Sequence, residues 1–185
     1  MDHRMNHAVI FMDAVLGGEL QKLIQNRYEK VTYLYEGNAF STVHDRIVIR
    51  AAYEKDYEDF WKELNLQNEG KRQDFDFYYL WSYEQIDQND LEQAQDRILS
   101  PIFYLCKSLA KIRVNSKVNL IILVNDCFAA DKKDTVSNYL CGGISGLAKT
   151  MMSECPRISI QVVDIKKNEN TNSNIAMLLW REQCS

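Results

Sequence analysis

The chain reads as an α/β protein built on a mainly parallel, twisted sheet with helices on both faces. Short apolar or β-branched runs at residues 8–12, 31–35, 75–81, 118–124 and 158–163 alternate with stretches of helical periodicity, the pattern of successive βαβ units. Val118 to Val124, V-N-L-I-I-L-V, is apolar almost throughout, as a parallel strand covered on both faces must be. With 185 residues, 46% of them hydrophobic and 26% charged, the chain is long enough for one well-buried core. Residues 1–185 are therefore expected to form a single domain, with 1–7 outside the fold and 175–185 only beginning a final helix.

Composition removes several function classes. A net charge of -4 argues against a nucleic-acid surface, which needs a basic face. No apolar run approaches the roughly 20 residues of a membrane span, and M-D-H-R-M-N-H lacks the apolar centre of a signal peptide. The five cysteines (106, 127, 141, 155 and 184) include no C-x-x-C. Reduced thiols in a cytoplasmic protein are the expectation. His3, His7 and His44 lie in no ligand spacing with them, so no metal site is expected.

Taken in order, Ala8–Met12 is a buried strand ending at Asp13, after which Leu16, Leu20, Leu23 and Ile24 share a helical face. Strand, loop and helix at this position invite comparison with a dinucleotide site, where glycines let backbone N–H groups reach a pyrophosphate at the helix N-terminus. The loop D-A-V-L-G-G-E-L offers only Gly17-Gly18 and puts Glu19 where phosphate would go. A glycine-eased turn is the better reading. Val31–Tyr35 is the second strand, and Glu36 after it, which could read a ribose in a nucleotide-binding fold, is taken as a solvated turn residue. Arg46–Arg50 alternates charge with apolar residues, as an edge strand does. Asp56–Leu66 is an amphipathic helix with Asp56 as N-cap and Tyr57, Phe60, Trp61 and Leu64 inward. Phe75–Trp81 is a central strand. A long helix spans Leu91–Ile112, with Pro101 expected to kink or interrupt its first half. Val118–Val124 and Ile158–Val163 complete the sheet.

The stretch Tyr139–Pro156 has apolar Leu140, Ile144, Leu147 and Met151 at helical spacing. Gly142, Gly143 and Gly146 cost helix propensity, about 1 kcal/mol each, as expected where a backbone must approach closely. A short-chain reductase would carry Tyr-x-x-x-Lys here, but Tyr139 is followed by Gly143 in the lysine position. Ile144-Ser145-Gly146 is only a fragment of a nucleophile elbow, and it lies inside a helix. Cys127 is the best-placed thiol nucleophile, yet no histidine follows it in the chain to serve as base. No catalytic, cofactor-binding or metal-binding residue is assigned.

The order of motifs resembles the structural subdomain of polyketide synthase ketoreductases, a truncated Rossmann-like half. The similarity runs through V-I-F-M-D with E-L-Q-K-L-I, V-T-Y-L-Y-E-G-N-A-F, Tyr79-Leu80-Trp81-Ser82 (Tyr for the common His), Ile102–Leu109 and L-I-I-L-V-N, with Asn125 for the usual Thr. Most specific is G-L-x-[RK]-[TV]-x-x-x-E-x-P, present as Gly146-Leu147-Ala148-Lys149-Thr150 with Glu154 and Pro156, followed by Val163-Asp164-Ile165. Richness in Asn, Lys, Asp and Tyr suggests a low-GC bacterial assembly line of the trans-acyltransferase kind.

The resemblance implies an architectural role without catalysis. NADPH would bind a separate catalytic half, which reduces β-ketoacyl chains held on the phosphopantetheine of an acyl carrier protein. Partners would be that half and neighbouring synthase domains, with self-association open. Lys149 and Glu154 would be helix-end residues and a conceivable ion pair. Two alternatives stand beside it: a free-standing short-chain reductase using Tyr139, or a pseudo-ketoreductase docking module.

Overall fold

The computed structural model describes residues 5–67, 73–83, 95–111, 116–127, 141–166 and 172–183. Its strands are β1 (Met5–Phe11), β2 (Tyr28–Glu36), β3 (Ser41–Val43), β4 (Arg46–Ile49), β5 (Phe75–Tyr79), β6 (Val118–Asn125) and β7 (Ile158–Ile165). Its α-helices are α1 (Leu16–Ile24), α2 (Glu54–Gln67), α3 (Ser100–Lys111), α4 (Cys141–Glu154) and α5 (Asn172–Gln183). The strands make one seven-stranded sheet in the order β3-β4-β2-β1-β5-β6-β7. Every pairing is parallel except β3 with β4. The predicted α/β class with a mainly parallel sheet is thus observed. Without β3, the order is that of a doubly wound Rossmann sheet, reversing between β1 and β5.

Each face of the sheet buries its own apolar layer. Ala8, Ile10, Tyr78 and Ile121 belong with α1 and α5 to a layer that includes Leu16, Leu20, Ile175 and Leu179. Val9, Phe11, Phe77, Leu120 and Ile122 face a larger layer under α2, α3 and α4, where Tyr57, Phe60, Trp61 and Leu64 point inward as expected. Both layers follow from the period-2 alternation of strand side chains. Aromatic rings fill the larger one: Trp61 lies 5.5 Å from both Phe75 and Phe77, and Phe11 lies 4.8 Å from Tyr79.

Several expectations need correction. Residues 5–7 are not outside the fold: β1 begins at Met5, and His7 is buried with Nε2 2.8 Å from Thr32 Oγ1. Arg46–Ile49 is not an edge strand, because Ser41–Val43 folds back beside it through a turn in which His44 has φ 56°. Asp56 does not cap its own helix. It lies inside the first turn of α2, and its carboxylate accepts the Arg50 backbone N–H at 2.8 Å and the Arg50 guanidinium at 2.7 and 3.0 Å. Pro101 does interrupt the helical run, as expected: a π-helical turn at Gln95–Leu99 leads directly into α3, of which Pro101 is the second residue. Phe75–Trp81 is strand only to Tyr79, with Trp81–Tyr83 in a 3₁₀ turn. The final helix is longer than expected, running from Asn172 through Gln183 and packing on α1.

In α4 the three glycines serve different ends. A Cβ at Gly143 would lie 3.1 Å from Leu99 Cδ2, a close approach of the kind expected, whereas Gly142 and Gly146 have nothing within 4 Å. Tyr139 and Leu140 lie outside the described residues. Lys149 and Glu154 are both exposed, and their five-residue spacing is not one that brings helical side chains together.

Candidate functional site

In an open parallel sheet, ligands bind beyond the carboxyl ends of the strands where the order reverses. Here that crevice lies between β1 and β5, at Phe11-Met12-Asp13 and Tyr79-Leu80-Trp81. Its anion position is occupied by the chain itself. Asp13 Oδ1 accepts the backbone N–H groups of Leu16 at 2.6 Å, Gly17 at 2.9 Å and Val15 at 3.2 Å. These are the orphan donors of the first turn of α1, the groups that cradle a phosphate in a nucleotide-binding fold. A phosphate brought there would meet a carboxylate instead of free N–H groups. Sequence reasoning placed the obstructing charge at Glu19, and that is corrected: Glu19 bonds Lys22 at 2.7 Å and accepts the Ser173 hydroxyl at 3.2 Å.

Two further side chains close the crevice. Met12 packs against Gly17, where an added Cβ would lie 2.9 Å from the Met12 methyl and 3.0 Å from its sulfur. The glycine that would admit a ligand admits a thioether. Trp81 Nε1–H donates to the Met12 carbonyl at 3.0 Å, with its ring edge-on to Phe11 at 5.1 Å. Ser82 Oγ donates to the Leu123 carbonyl at 2.7 Å and ties the 3₁₀ turn to β6. Tyr83, the last residue of this turn, is buried, and its hydroxyl pKa is pushed up by burial and by the charges of Asp126 and Asp13. Glu36, at the end of β2, is exposed as expected. A dinucleotide does not fit these residues.

The other chemical candidates are equally committed. Cys127 is disulfide-bonded and 4% exposed, so the expectation of reduced thiols fails there, and it holds no nucleophilic thiol in this form. Its backbone N–H donates to both Asp164 carboxylate oxygens at 3.1 Å. Cys106 and Cys155 are free, and burial pushes the Cys106 thiol up to about 12. Cys155 lines an apolar groove of about 240 Å³ with Leu109, Ser116 and Ile158, at the amino ends of β6 and β7, away from the switch point. Ser145 sits inside α4. Among the described residues no cluster of three His, Cys, Asp or Glu could hold a metal ion, and no helix is long and apolar enough to cross a membrane.

Known structures share this architecture. A keto acid-selecting NRPS module with adenylation, ketoreductase and pseudo Asub parts superposes with a TM-score of 0.81 at 21% identity, over 96% of this chain and 15% of that one. An N-terminal ketoreductase from the macrolactin assembly line matches with a TM-score of 0.75 at 14% identity, over 97% of this chain and 36% of that one. This chain therefore spans a minor part of both. A short-chain dehydrogenase/reductase from Serratia marcescens matches with a TM-score of 0.61 at 14% identity, over 96% of this chain and 88% of that one. No curated protein sequence matches. One family description does, over residues 6–182, nearly the whole chain. This chain belongs to the beta-ketoacyl synthase-like, N-terminal family.

Proposed function

We propose that this chain is the architectural, non-catalytic half of a polyketide synthase ketoreductase. The observation that carries the reading is a Rossmann-type sheet whose switch-point crevice is filled by Asp13, Met12 and Trp81. The fold of a reductase is present and the place for its cofactor is taken. NADPH and the reacting β-ketoacyl chain, carried on the phosphopantetheine of an acyl carrier protein, belong to a separate catalytic half. That half and neighbouring synthase domains are the partners, in bacterial polyketide and antibiotic biosynthesis in the cytoplasm. Cytoplasmic thiols are held reduced, so in the cell this reading has the Cys127 disulfide open.

A face for the catalytic half is available on α3 and α4. Phe103 on α3 is 48% and Met152 on α4 39% exposed, and Gly142 and Gly146 of α4 leave open space around their backbone. The test is a titration with NADPH. No binding and no thermal stabilisation are expected, whereas a ligand held by the folded state would stabilise it by RT ln(1 + [L]/Kd). Micromolar binding by this chain alone refutes the reading. The rival, a free-standing short-chain reductase, draws on the near-complete coverage of the Serratia marcescens enzyme. It predicts NADPH-dependent turnover of a β-ketoacyl thioester by the isolated chain.

A further inference from the structure

The two edges of the sheet are treated differently. At one end β3 is three residues long and ends in the left-handed turn at His44, a short, twisted edge of the kind that resists pairing. At the other end β7 runs for eight residues, I-S-I-Q-V-V-D-I, with no lysine, arginine or proline inside it. Among the described residues it pairs only with β6. A long extended edge whose one charge, Asp164, lies next to its carboxyl end presents a row of backbone donors and acceptors suited to another strand.

We propose that this edge docks a second copy of the chain, β7 against β7 in antiparallel orientation, on a two-fold axis through Ile160. The register follows from the sequence of the strand. A two-fold that joins two such edges into one sheet stands perpendicular to it, reversing strand direction while keeping each face on its own side. Residues opposite one another then share parity. With Ile160 opposite itself, Ile158 faces Val162 on the side of the larger apolar layer, and Ser159 faces Gln161 on the side where both are exposed. Apolar meets apolar and polar meets polar in every central pair. Sliding one way sets Ile158 against Asp164 and Ser159 against Val163. Sliding the other way leaves only 158–160 opposed strand to strand and sets Val162 against Pro156, which has no N–H. The pairing uses up both β7 edges, so it closes at two copies. It is independent of the ketoreductase reading.

Sedimentation of the purified chain over a concentration series should show a monomer–dimer equilibrium with no larger species. In Ser159→Lys/Gln161→Lys each lysine lies opposite a lysine of the other copy. Both positions are exposed, so the variant should fold with an unchanged circular dichroism spectrum while the dimer weakens roughly tenfold or more. In a Cys155→Ser background, mixing Ser159→Cys chains with Gln161→Cys chains under mild oxidation should give a disulfide-linked dimer in much higher yield than either alone. Opposed Cβ atoms lie about 4.5–5.5 Å apart in such a ladder, and diagonal ones farther. A wild type that stays monomeric overturns the proposal. So does a dimer indifferent to the two lysines, a crosslink equally strong without mixing, or growth beyond two copies.

Discussion

Replacing Asp13 with Ala removes the carboxylate that accepts three backbone N–H groups, at 2.6, 2.9 and 3.2 Å. Loss of a helix-capping acceptor costs about 1 kcal/mol on average and up to about 2. The upper value applies here, because Leu16 and Gly17 are buried and water reaches their freed donors poorly. For a chain of this length each kcal/mol moves the thermal midpoint by roughly 2–4 °C, so Asp13→Ala should melt about 4–8 °C lower. Asp13→Asn keeps an acceptor and loses only the charge–dipole attraction, about 0.3–1 kcal/mol. It should therefore fall between wild type and Asp13→Ala. Urea unfolding read by circular dichroism supplies both differences. A loss under about 0.3 kcal/mol for Asp13→Ala, or an Asn variant as damaged as the Ala variant, would refute the assignment of this carboxylate as the acceptor of the α1 N-terminus.

Four other outcomes follow from the geometry. For Asp56, burial is the largest influence and favours the protonated acid, but the hydrogen bonds and charge of Arg50 outweigh it and hold the carboxyl below its usual range. Its contribution is therefore complete above the unfolded value of about 3.9 and is lost as pH falls toward the lower folded value. Asp56→Asn should cost about 2 kcal/mol at pH 7, and the gap to wild type, followed by urea unfolding, should narrow below about pH 4. A gap independent of pH would count against the ion pair. Tyr28 donates to Asp76 Oδ2 and lies 2.9 Å from the Tyr78 hydroxyl, so Tyr28→Phe should cost about 1–3 kcal/mol. The buried Tyr79 hydroxyl has no hydrogen-bond partner among the described residues, and Tyr79→Phe should change the urea midpoint little. Gly142→Ala and Gly146→Ala should each stabilise the isolated chain by up to about 1 kcal/mol, and Gly143→Ala less, because of Leu99. If the open face packs on a catalytic half, the same alanines should weaken co-purification with that half.

Which parts were legible in the sequence depended on how local their cause was. Every strand except β3, and the inward face Tyr57, Phe60, Trp61 and Leu64, depend on periodicity and are legible in the sequence. The edge assignment for Arg46–Ile49 failed because β3 pairs through only three residues, too few to leave a period-2 signature. The interruption at Pro101 is legible, because proline supplies no N–H to the turn before it, while the π-helical form of that turn follows backbone geometry that side-chain spacing does not encode. At the switch point the deficit of glycines was visible, and the occupant was not. Asp13 and Glu19 are both acidic and near the helix start. Only the turn geometry decides which of them reaches the N–H groups.

That occupant changes what the missing glycines mean. A glycine-poor loop alone would leave a weakened cofactor site, open to rescue by one or two substitutions. Here three independent contacts hold the crevice shut. Asp13 satisfies the first-turn donors, Met12 fills the space over Gly17, and the Trp81 indole clamps the Met12 carbonyl. Asp13→Ala would free the N–H groups yet leave the thioether and the indole in place, so it should lose stability without gaining NADPH binding. Opening the crevice would require changes on both β1 and the β5 turn, each costing stability with no ligand to offset it. A closure distributed in this way stabilises the fold itself, as the proposed packing role requires.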